Sequence, residues 1–408
     1  MTSRNERGAI LIQVATMLVV FTMMSAFVID YGVQLVSRNQ IQNAVDAAAL
    51  AGVTSLAYDD YTNWTPSGPA QLSARAVAAK NLVWTEPANI PAANVEFPVC
   101  ASSYEAGASG SPINACVQVT AFRDENHTNA IPTIFGKLMG LNWLGISATA
   151  IAEAKSGNAT DCLKPLAIPD HWTEKYPTNP GTWSSTSTFD KWNPMTGLLI
   201  PSASRDSYIA PDPLGSGTGL MITMDFGAVT LLPGSVSWSA ISPWHYLPVQ
   251  IPNSRWGPND VRANTNSCAA AKVKIGDRLN FPPGGITANA ALIGQGLLDL
   301  YNLDPGAHWN TTTKRVENSC ADLLTGRCAS MSPRVIALPV YDPLDLANAS
   351  HAGGASSVFV TNIVGFFIDS VNGTNATGYL TKHPGLRDST AITLFDASSF
   401  LRASLLVK

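Results

Sequence analysis

The sequence predicts an α+β fold with a long N-terminal helix, a small α/β module and a larger, mostly β C-terminal domain. Three observations lead to this prediction. An uncharged apolar run near the N-terminus continues without proline into an alanine-rich stretch, which favours one long helix. Short helical and strand-like runs alternate over residues 57–157. Strand-like runs then dominate residues 158–408.

The composition is that of a loop-rich β protein, and it excludes one class of partner. Apolar residues make up 46% of the chain and charged residues 13%, about half the usual charged share. The 31 glycines and 27 prolines require many turns. Because the net charge is −4, no basic face is available for phosphates, and no nucleic-acid partner is expected.

The first helix begins with a segment that can cross a membrane. Residues 9–29 carry no charge, and as a helix they span roughly 30 Å, the thickness of a hydrocarbon core. Arg4 and Arg7 precede this segment and Asp30 follows it. This asymmetry predicts that residues 1–8 lie in the cytoplasm and the rest of the chain outside it. A cleaved signal peptide and a buried helix of a soluble protein are the two alternatives.

The same helix is predicted to continue to about Leu56. No proline lies between Asp30 and Leu56, and the run Asn43–Ala51 (NAVDAAALA) is strongly helix-forming. Its small apolar side chains recur every three to four residues, so another surface can approach the helix closely there.

The module at residues 57–157 is predicted from short periodic runs. Its helices are predicted at Leu72–Val83 and Ile131–Leu141. Its strands are predicted at Asn94–Cys100, Ala115–Phe122 and Trp143–Ala154.

The C-terminal domain is predicted to be one β-rich unit. The predicted strands are Ser235–Ile241, Val335–Val340, Val358–Val371 and Thr377–Thr381. Asn372-Gly373 predicts a hairpin turn between the last two strands. A helix is predicted at Ala288–Tyr301, and residues 177–213 are predicted to form a long ordered loop.

The cysteines indicate disulfides rather than a metal site. None of the six forms a CxxC pair, and the six histidines show no HxH or HExxH spacing. Cys100 and Cys116 flank a Gly/Ser-rich turn, and Cys320 and Cys328 close a short loop, which leaves Cys162 with Cys268. Six cysteines allow many other pairings, and the sequence does not decide between them.

No catalytic motif is found. The chain has neither a GxSxG nucleophile elbow nor a GxxxxGK[ST] phosphate loop, so no catalytic residue and no cofactor are expected. Calcium binding stays open, because several Asp and Asn residues lie near predicted turns without EF-hand spacing: Asp299, Asp304, Asp369, Asn372 and Asn375. Tryptophans concentrate between residues 160 and 270, where they can stack on sugars or pack beneath loops.

Three segments together resemble a known family. They are Arg7-Gly8-Ala9, Ile29-Asp30-Tyr31-Gly32 and the run from Arg38 to Gly52 (RNQIQNAVDAAALAG). In this combination they are similar to the N-terminal region of TadE/TadG-like Flp pilus-assembly proteins. A weaker similarity continues through Ile131–Gly140 to Ile146–Ala150. Longer TadG-like proteins are also similar to this chain at Cys162–Trp172 and Ser332–Val335.

The resemblance implies a fold, a location and a role. It implies that the module at residues 57–157 is pilin-like, and that the chain is a non-enzymatic component of a tight-adherence pilus system. Such a component is held in the bacterial inner membrane, with its C-terminal bulk in the periplasm. The implied partners are other Tad/Flp subunits, and self-association through the N-terminal helix stays open.

Five residues are predicted to contact other subunits through the helix, and their alternative is a solvated helix face. They are Asp30, Tyr31, Arg38, Asn43 and Asp46. Two rival functions are an anchored adhesin or ligand-binding protein, and an anchored hydrolase. Prepilin peptidases cut after a Gly, and their substrates usually carry Glu five residues later. Gln13 stands there after Gly8, so the chain is expected to stay uncut.

Overall fold

The structure is a computed structural model, and it divides the chain into two compact units. It describes residues 6–58, 68–98, 116–177, 183–184, 186–211, 217–235, 237–238, 241–269, 271–320, 331–394 and 398–407. The first unit comprises Met1–Ser102, Asn114–Ala154 and Ser404–Lys408. The second unit comprises Ser103–Ile113 and Lys155–Ala403. The fold is mixed α+β with a β-rich C-terminal region, as predicted.

The first unit contains one long helix, α1, at Glu6–Tyr58. It is unbroken over 53 residues because the segment contains no proline. Its N-terminal part is apolar and exposed, and it is long and apolar enough to cross a membrane. Its C-terminal part buries one face, which includes Ile41, Ala44, Ala48 and Val53.

That buried face of α1 packs on a short helix and a small sheet. Helix α2 is Pro69–Ala78, and the strands are β1 (Leu82–Val83), β2 (Glu86–Pro87), β3 (Val95–Glu96), β4 (Cys116–Arg123), β5 (Ile131–Pro132), β6 (Trp143–Leu144) and β7 (Ile146–Ser156). Strand β4 pairs antiparallel with β3 and β7, while β1–β2 and β5–β6 are antiparallel pairs. Gly52 of α1 permits the close packing, because an added Cβ would lie 2.9 Å from Val117 Cγ1.

Two predicted helices of this module differ from the structure. Helix α2 ends at Ala78 rather than Val83, since the chain turns at residues 79–80 and enters β1. The predicted helix at Ile131–Leu141 is wrong. Ile131–Pro132 is a strand, and only Gly136–Met139 forms a 3₁₀ turn, because the N–H groups just before that turn are directed to a side chain of α1.

The second unit is built around one mixed sheet. The strands of this unit are β8 (Ala159–Thr160), β9 (Leu166–Pro169), β10 (Val229–Leu232), β11 (Leu247–Pro248), β12 (Val273–Lys274), β13 (Arg278–Asn280), β14 (His308–Asn310), β15 (Arg315–Glu317), β16 (Val335–Tyr341), β17 (Ser357–Asn372), β18 (Asn375–Thr381) and β19 (His383–Pro384). The last strand, β20 (Leu401–Leu406), begins in this unit, and its residues from Ser404 onward belong to the first unit. The main sheet has the order β10-β18-β17-β16-β9-β11, and β13 also pairs with β17. Only the β16–β9 neighbours in this sheet are parallel.

The sheet is buried from both faces, so its central strands are continuously apolar. All seven residues of β16 are buried, as expected for a strand covered on both sides. The helices of this unit are α3 (Ile222–Asp225), α4 (Pro258–Asn266), α5 (Ile286–Leu303) and α6 (Pro343–His351), and α5 and α6 pack on β17. The predicted hairpin turn at Asn372-Gly373 is confirmed, with Gly373 at φ 62°. The described residues of the predicted strand Ser235–Ile241 form no strand.

The last residues of the chain belong to the first unit. Ser404 Oγ lies 3.0 Å from Thr54 Oγ1 of α1, and the Val407 N–H donates to the Ile151 carbonyl of β7. The end of the chain therefore packs against the N-terminal helix and the sheet beside it.

One of the three predicted disulfides lies within the described residues. The structure joins Cys162 to Cys268, with 4.5 Å between their Cα atoms. Cys116 and Cys320 are also disulfide-bonded. Their predicted partners, Cys100 and Cys328, lie outside the described residues, so those two pairings stay predictions.

Candidate functional site on the N-terminal helix

Asp30 binds a loop of its own unit at the point where the apolar run of α1 ends. Its Oδ1 accepts the N–H of Ile134 at 2.7 Å, its Oδ2 accepts that of Gly136 at 2.6 Å, and the N–H of Phe135 lies 3.1 Å from Oδ2. The carboxylate is buried. Three successive amide donors replace the water that an ionised carboxylate would otherwise hold.

The other four predicted contact residues lie elsewhere on α1. Tyr31 is exposed, and its ring stacks on Phe27 with 6.0 Å between centroids. Arg38 and Asn43 are exposed. Asp46 is half-buried and accepts a hydrogen bond from Gln42 Nε2 at 2.8 Å. Thus Tyr31, Arg38 and Asn43 are free to meet another molecule, whereas Asp30 is already used within the unit.

Apolar residues share the exposed side of α1 beyond Asp30. Leu35 and Val36 are about half exposed, and Asn39 beside them is exposed. The residues that face the module recur at helical spacing: Val33, Ser37, Ile41, Ala44, Ala48. The C-terminal part of α1 therefore has one face in the core and one unpartnered face within the described residues.

In the second unit, Asp170 holds a buried polar network at the end of β9. Its Oδ1 accepts the N–H groups of Leu220 and His171, and its Oδ2 accepts the hydroxyls of Tyr208 and Thr361. Burial raises the pKa of Asp170 to about 6. Gly219 leaves room for this carboxylate, because an added Cβ would lie 2.5 Å from Oδ2.

Three further carboxylates lie close together near Asp170. Asp206 accepts the N–H groups of Lys175, Tyr176 and Asp190, at 2.6 to 3.0 Å. Glu174 Oε2 accepts the indole N–H of Trp172 at 3.1 Å. Burial, together with the nearby charges of Asp206 and Asp190, raises the pKa of Glu174 to about 7. These carboxylates organise a long loop, which sequence reasoning identified only as a loop.

Replacing Glu174 by glutamine is expected to change how stability depends on pH. The pKa of Glu174 is about 7 in the folded chain, above its ordinary 4.5, so the folded state binds the extra proton. The free energy of unfolding therefore falls as pH rises from about 4.5 to about 7. In urea unfolding, the difference between wild type and Glu174→Gln should decline across that window and stay level above it. A difference that is constant over the window would contradict the buried placement of Glu174.

Arg334 is a second buried charge that the sequence did not single out. It is 1% exposed, and it donates to the carbonyls of Ile368, Asp304, Ala307 and Asp369. Its guanidinium lies over two aromatic rings, with centroids at 4.4 and 4.8 Å. The side chain joins α5, the loop after it and β17.

The tryptophans between residues 160 and 270 mainly pack within the second unit. All six are buried or half-buried: Trp172, Trp183, Trp192, Trp238, Trp244 and Trp256. Trp183 contacts Trp172 and Trp244 with centroids at 4.5 and 5.3 Å, and Trp192 stacks on His351 at 3.8 Å. This arrangement favours packing over an open platform for sugars.

Two of the candidate calcium ligands, Asp299 and Asp304, are hydrogen-bonded to other protein groups. Asp299 forms a two-pronged ion pair with Arg262, at 2.6 and 2.7 Å. Asp304 accepts the hydroxyls of Ser319 and Ser332 and the N–H of Cys320. Within the described ranges, no group of three or more His, Cys, Asp or Glu side chains could hold a metal ion.

Together these features give the described part of the chain one helix of membrane-spanning character, a helix-packed module and a larger sheet unit. Residues 8–55 match a family model described as "Putative Flp pilus-assembly TadE/G-like", which confirms the resemblance seen in the sequence. The match covers most of α1 and supports a role related to Flp/Tad pilus assembly. Comparison with curated proteins and comparison with solved structures each found no match.

Proposed function

We propose that this chain is a membrane-anchored, non-enzymatic structural component of Flp/Tad-type pilus assembly. The observation that carries the proposal is that the residues matched by the family model, 8–55, are nearly the same as those that form α1. Within that one helix, the first part is apolar and exposed, and the second part is the central element of a folded module. A helix of this kind connects a lipid-embedded segment rigidly to a folded head.

The first part of α1 serves as a single anchor in the bacterial inner membrane. Its side chains from Ile10 to Ile29 are exposed apart from Ala26, although they are overwhelmingly apolar, and lipid is the solvent that suits such a surface. Arg4 and Arg7 favour a cytoplasmic N-terminus. The module and the second unit then lie on the periplasmic side.

The unpartnered face of α1 beyond the anchor serves as the contact surface for other subunits. Tyr31, Arg38 and Asn43 lie on it together with Leu35 and Val36, so it offers both apolar area and polar groups. The partner is another pilus-assembly subunit or a second copy of this chain. In the second unit, the buried side chains of Asp170 and Arg334 are hydrogen-bonded to loops and strands, which suits a structural role.

Photocrosslinking from the helix face tests this proposal. A photoreactive phenylalanine derivative replaces Arg38 or Asn43 in cells, and Lys80, an exposed basic residue at the end of the α2 region, serves as the matched control position. Adducts from positions 38 and 43 should contain a pilus-assembly subunit or a second copy, and position 80 should lack them. Identical adducts from all three positions, or none from 38 and 43, would refute the contact role.

A further inference from the structure

At the outer end of its apolar run, α1 binds an apolar loop that the proposed subunit contacts do not use. The loop, called the collar here, comprises residues 134–143, from just after β5 to the first residue of β6. Its base is a short antiparallel pair in which Pro132 lies opposite Trp143. The collar belongs to the first unit, as does α1.

The collar is held firmly to α1 and to itself. Asp30 accepts three successive N–H groups at its start, as described above. Thr133 then closes the loop, because its N–H donates to the Asn142 carbonyl at 3.1 Å and its hydroxyl donates to the Leu141 carbonyl at 2.5 Å. The Leu141 N–H donates to the Gly136 carbonyl across the loop. A loop fixed at its base, start and middle presents a defined surface.

The position of the collar along α1 places it at the end of the apolar run. Among residues 10–29, only Ala26 is buried, and it lies one turn before Asp30 on the same face. The 3₁₀ turn of the collar contacts α1. The collar thus covers the last turn of the apolar run, about 6 Å of helix, which is comparable to the depth of the headgroup and upper acyl region.

The outer surface of the collar is apolar and exposed. The exposed fractions of Ile134, Leu141 and Trp143 are 51%, 59% and 48%. Tyr31 on α1 is 51% exposed at the same level, and Lys137 is exposed beside the apolar groups. Trp, Tyr and Lys side chains are typical of membrane interfaces, where an apolar body and a polar end are both satisfied.

We infer that the collar is an interfacial docking surface that lies on the outer leaflet boundary of the phospholipid bilayer from which α1 emerges. The inference rests on the proposed anchor, because the collar surface continues the lipid-facing surface of α1. The three N–H donors to Asp30 let a carboxylate lie at this depth without water. The collar then fixes the height and tilt of the module above the membrane.

Depth-dependent quenching in liposomes tests the collar. The full chain is reconstituted in phosphatidylethanolamine and phosphatidylglycerol with a fluorescent amino acid at one of three exposed positions, 21, 82 or 143. Phe21 lies in the apolar run. Leu82 lies in β1, two residues before Trp84. The backbone N–H of Trp84 donates to the side chain of Gln40, which is ten residues beyond Asp30 and so about 15 Å farther along α1.

Lipids with a nitroxide near the headgroup end of the acyl chain should quench position 143 at least about twice as strongly as position 82. Lipids with a nitroxide deep in the acyl chain should quench position 21, because about eight residues, or about 12 Å of helix, separate it from the outer end of the apolar run. Equal quenching at 143 and 82, with 21 quenched, would overturn the collar and leave the anchor intact. Absence of quenching at 21 would instead refute the anchor. Crosslinking of position 143 to a second copy in the same liposomes would also overturn the lipid assignment.

The Asp30→Ala variant provides a second readout of the same inference. With its N–H acceptor removed, the collar should leave the membrane boundary, so quenching at position 143 should fall toward the level of position 82. Quenching at position 21 should not change, which shows that the variant still inserts. Unchanged quenching at position 143 would show that Asp30 does not position the collar. Whether the collar lies on the membrane is then decided by the difference in quenching between positions 143 and 82 in the wild-type background.

Discussion

Replacing Arg334 by methionine is expected to lower the free energy of unfolding of the second unit by about 3 to 5 kcal/mol. Methionine approximates the length of the side chain but donates no hydrogen bond. Four carbonyl oxygens would lose a charged donor: those of Ile368, Asp304 and Ala307, which are buried, and that of Asp369, which is partly buried. The stacking on the rings of Tyr301 and Phe367 would also be lost.

Arg278 supplies the matched control for this substitution. Arg278 is likewise a hydrogen-bonded arginine of the second unit, with two bonds to Asp345 at 2.7 and 3.0 Å. Its side chain, however, is 52% exposed. An exposed pair contributes little, so Arg278→Met should cost less than about 1 kcal/mol. Denaturant unfolding followed by far-ultraviolet circular dichroism compares the variants. The loss of stability in Arg334→Lys should fall between those of the two methionine variants. The lysine ammonium group keeps the charge, but it cannot donate to all four carbonyls as the planar guanidinium does. Equal losses for Arg334→Met and Arg278→Met would contradict the buried network.

Replacing Asp30 by alanine is expected to release the collar at a cost of about 2 to 4 kcal/mol in local stability. Three N–H groups would lose a charged acceptor, and at least one, that of Gly136, lies in a buried position. The expected result is faster hydrogen exchange in the peptide covering residues 131–144, by at least about tenfold. Exchange measured by mass spectrometry on the full chain in detergent provides the readout.

Asp46 supplies the control for Asp30. It lies on the same helix, but its carboxylate accepts a hydrogen bond from the neighbouring Gln42, and it is only half-buried. Asp46→Ala should therefore change exchange at residues 131–144 by less than about twofold, in line with the small energies of pairs along a helix surface. Unchanged exchange in Asp30→Ala would mean that the collar is held by its own hydrogen bonds alone.

The elements that the sequence predicted well are those with a long or regular local signal. Helix α1 was predictable because fifty residues without proline leave few alternatives, and the observed helix extends the predicted one by only a few residues at each end. The hairpin at Asn372-Gly373 was predictable because that dipeptide accommodates the required backbone. Strands β16 and β17 were predictable because a sheet covered on both faces requires apolar runs.

The features that the sequence did not reveal depend on contacts between distant residues. The N–H partners of Asp30 lie 104 to 106 residues away, so the sequence suggested an outward contact where the structure shows an inward one. The same contact explains why the helix predicted at Ile131–Leu141 does not form. Arg334 and Asp170 were not singled out as buried charges, because no periodic pattern in the sequence marks a buried charge. The local sign that the sequence did contain is the position of each charge directly beside an apolar strand: Arg334 precedes β16, and Asp170 follows β9.

Limited proteolysis of spheroplasts, with mass spectrometry of the fragment that stays in the membrane, tests the membrane anchor most directly. Protease added from outside should digest the module and the second unit and leave an N-terminal fragment. That fragment should begin before Ala9, contain residues 10–29 and end beyond Asp30. Absence of any membrane-protected fragment, or protection of the whole chain, would contradict the proposed anchor and its orientation. A protected fragment that begins at Ala9 would show that the chain is cut after Gly8, against the expectation from Gln13.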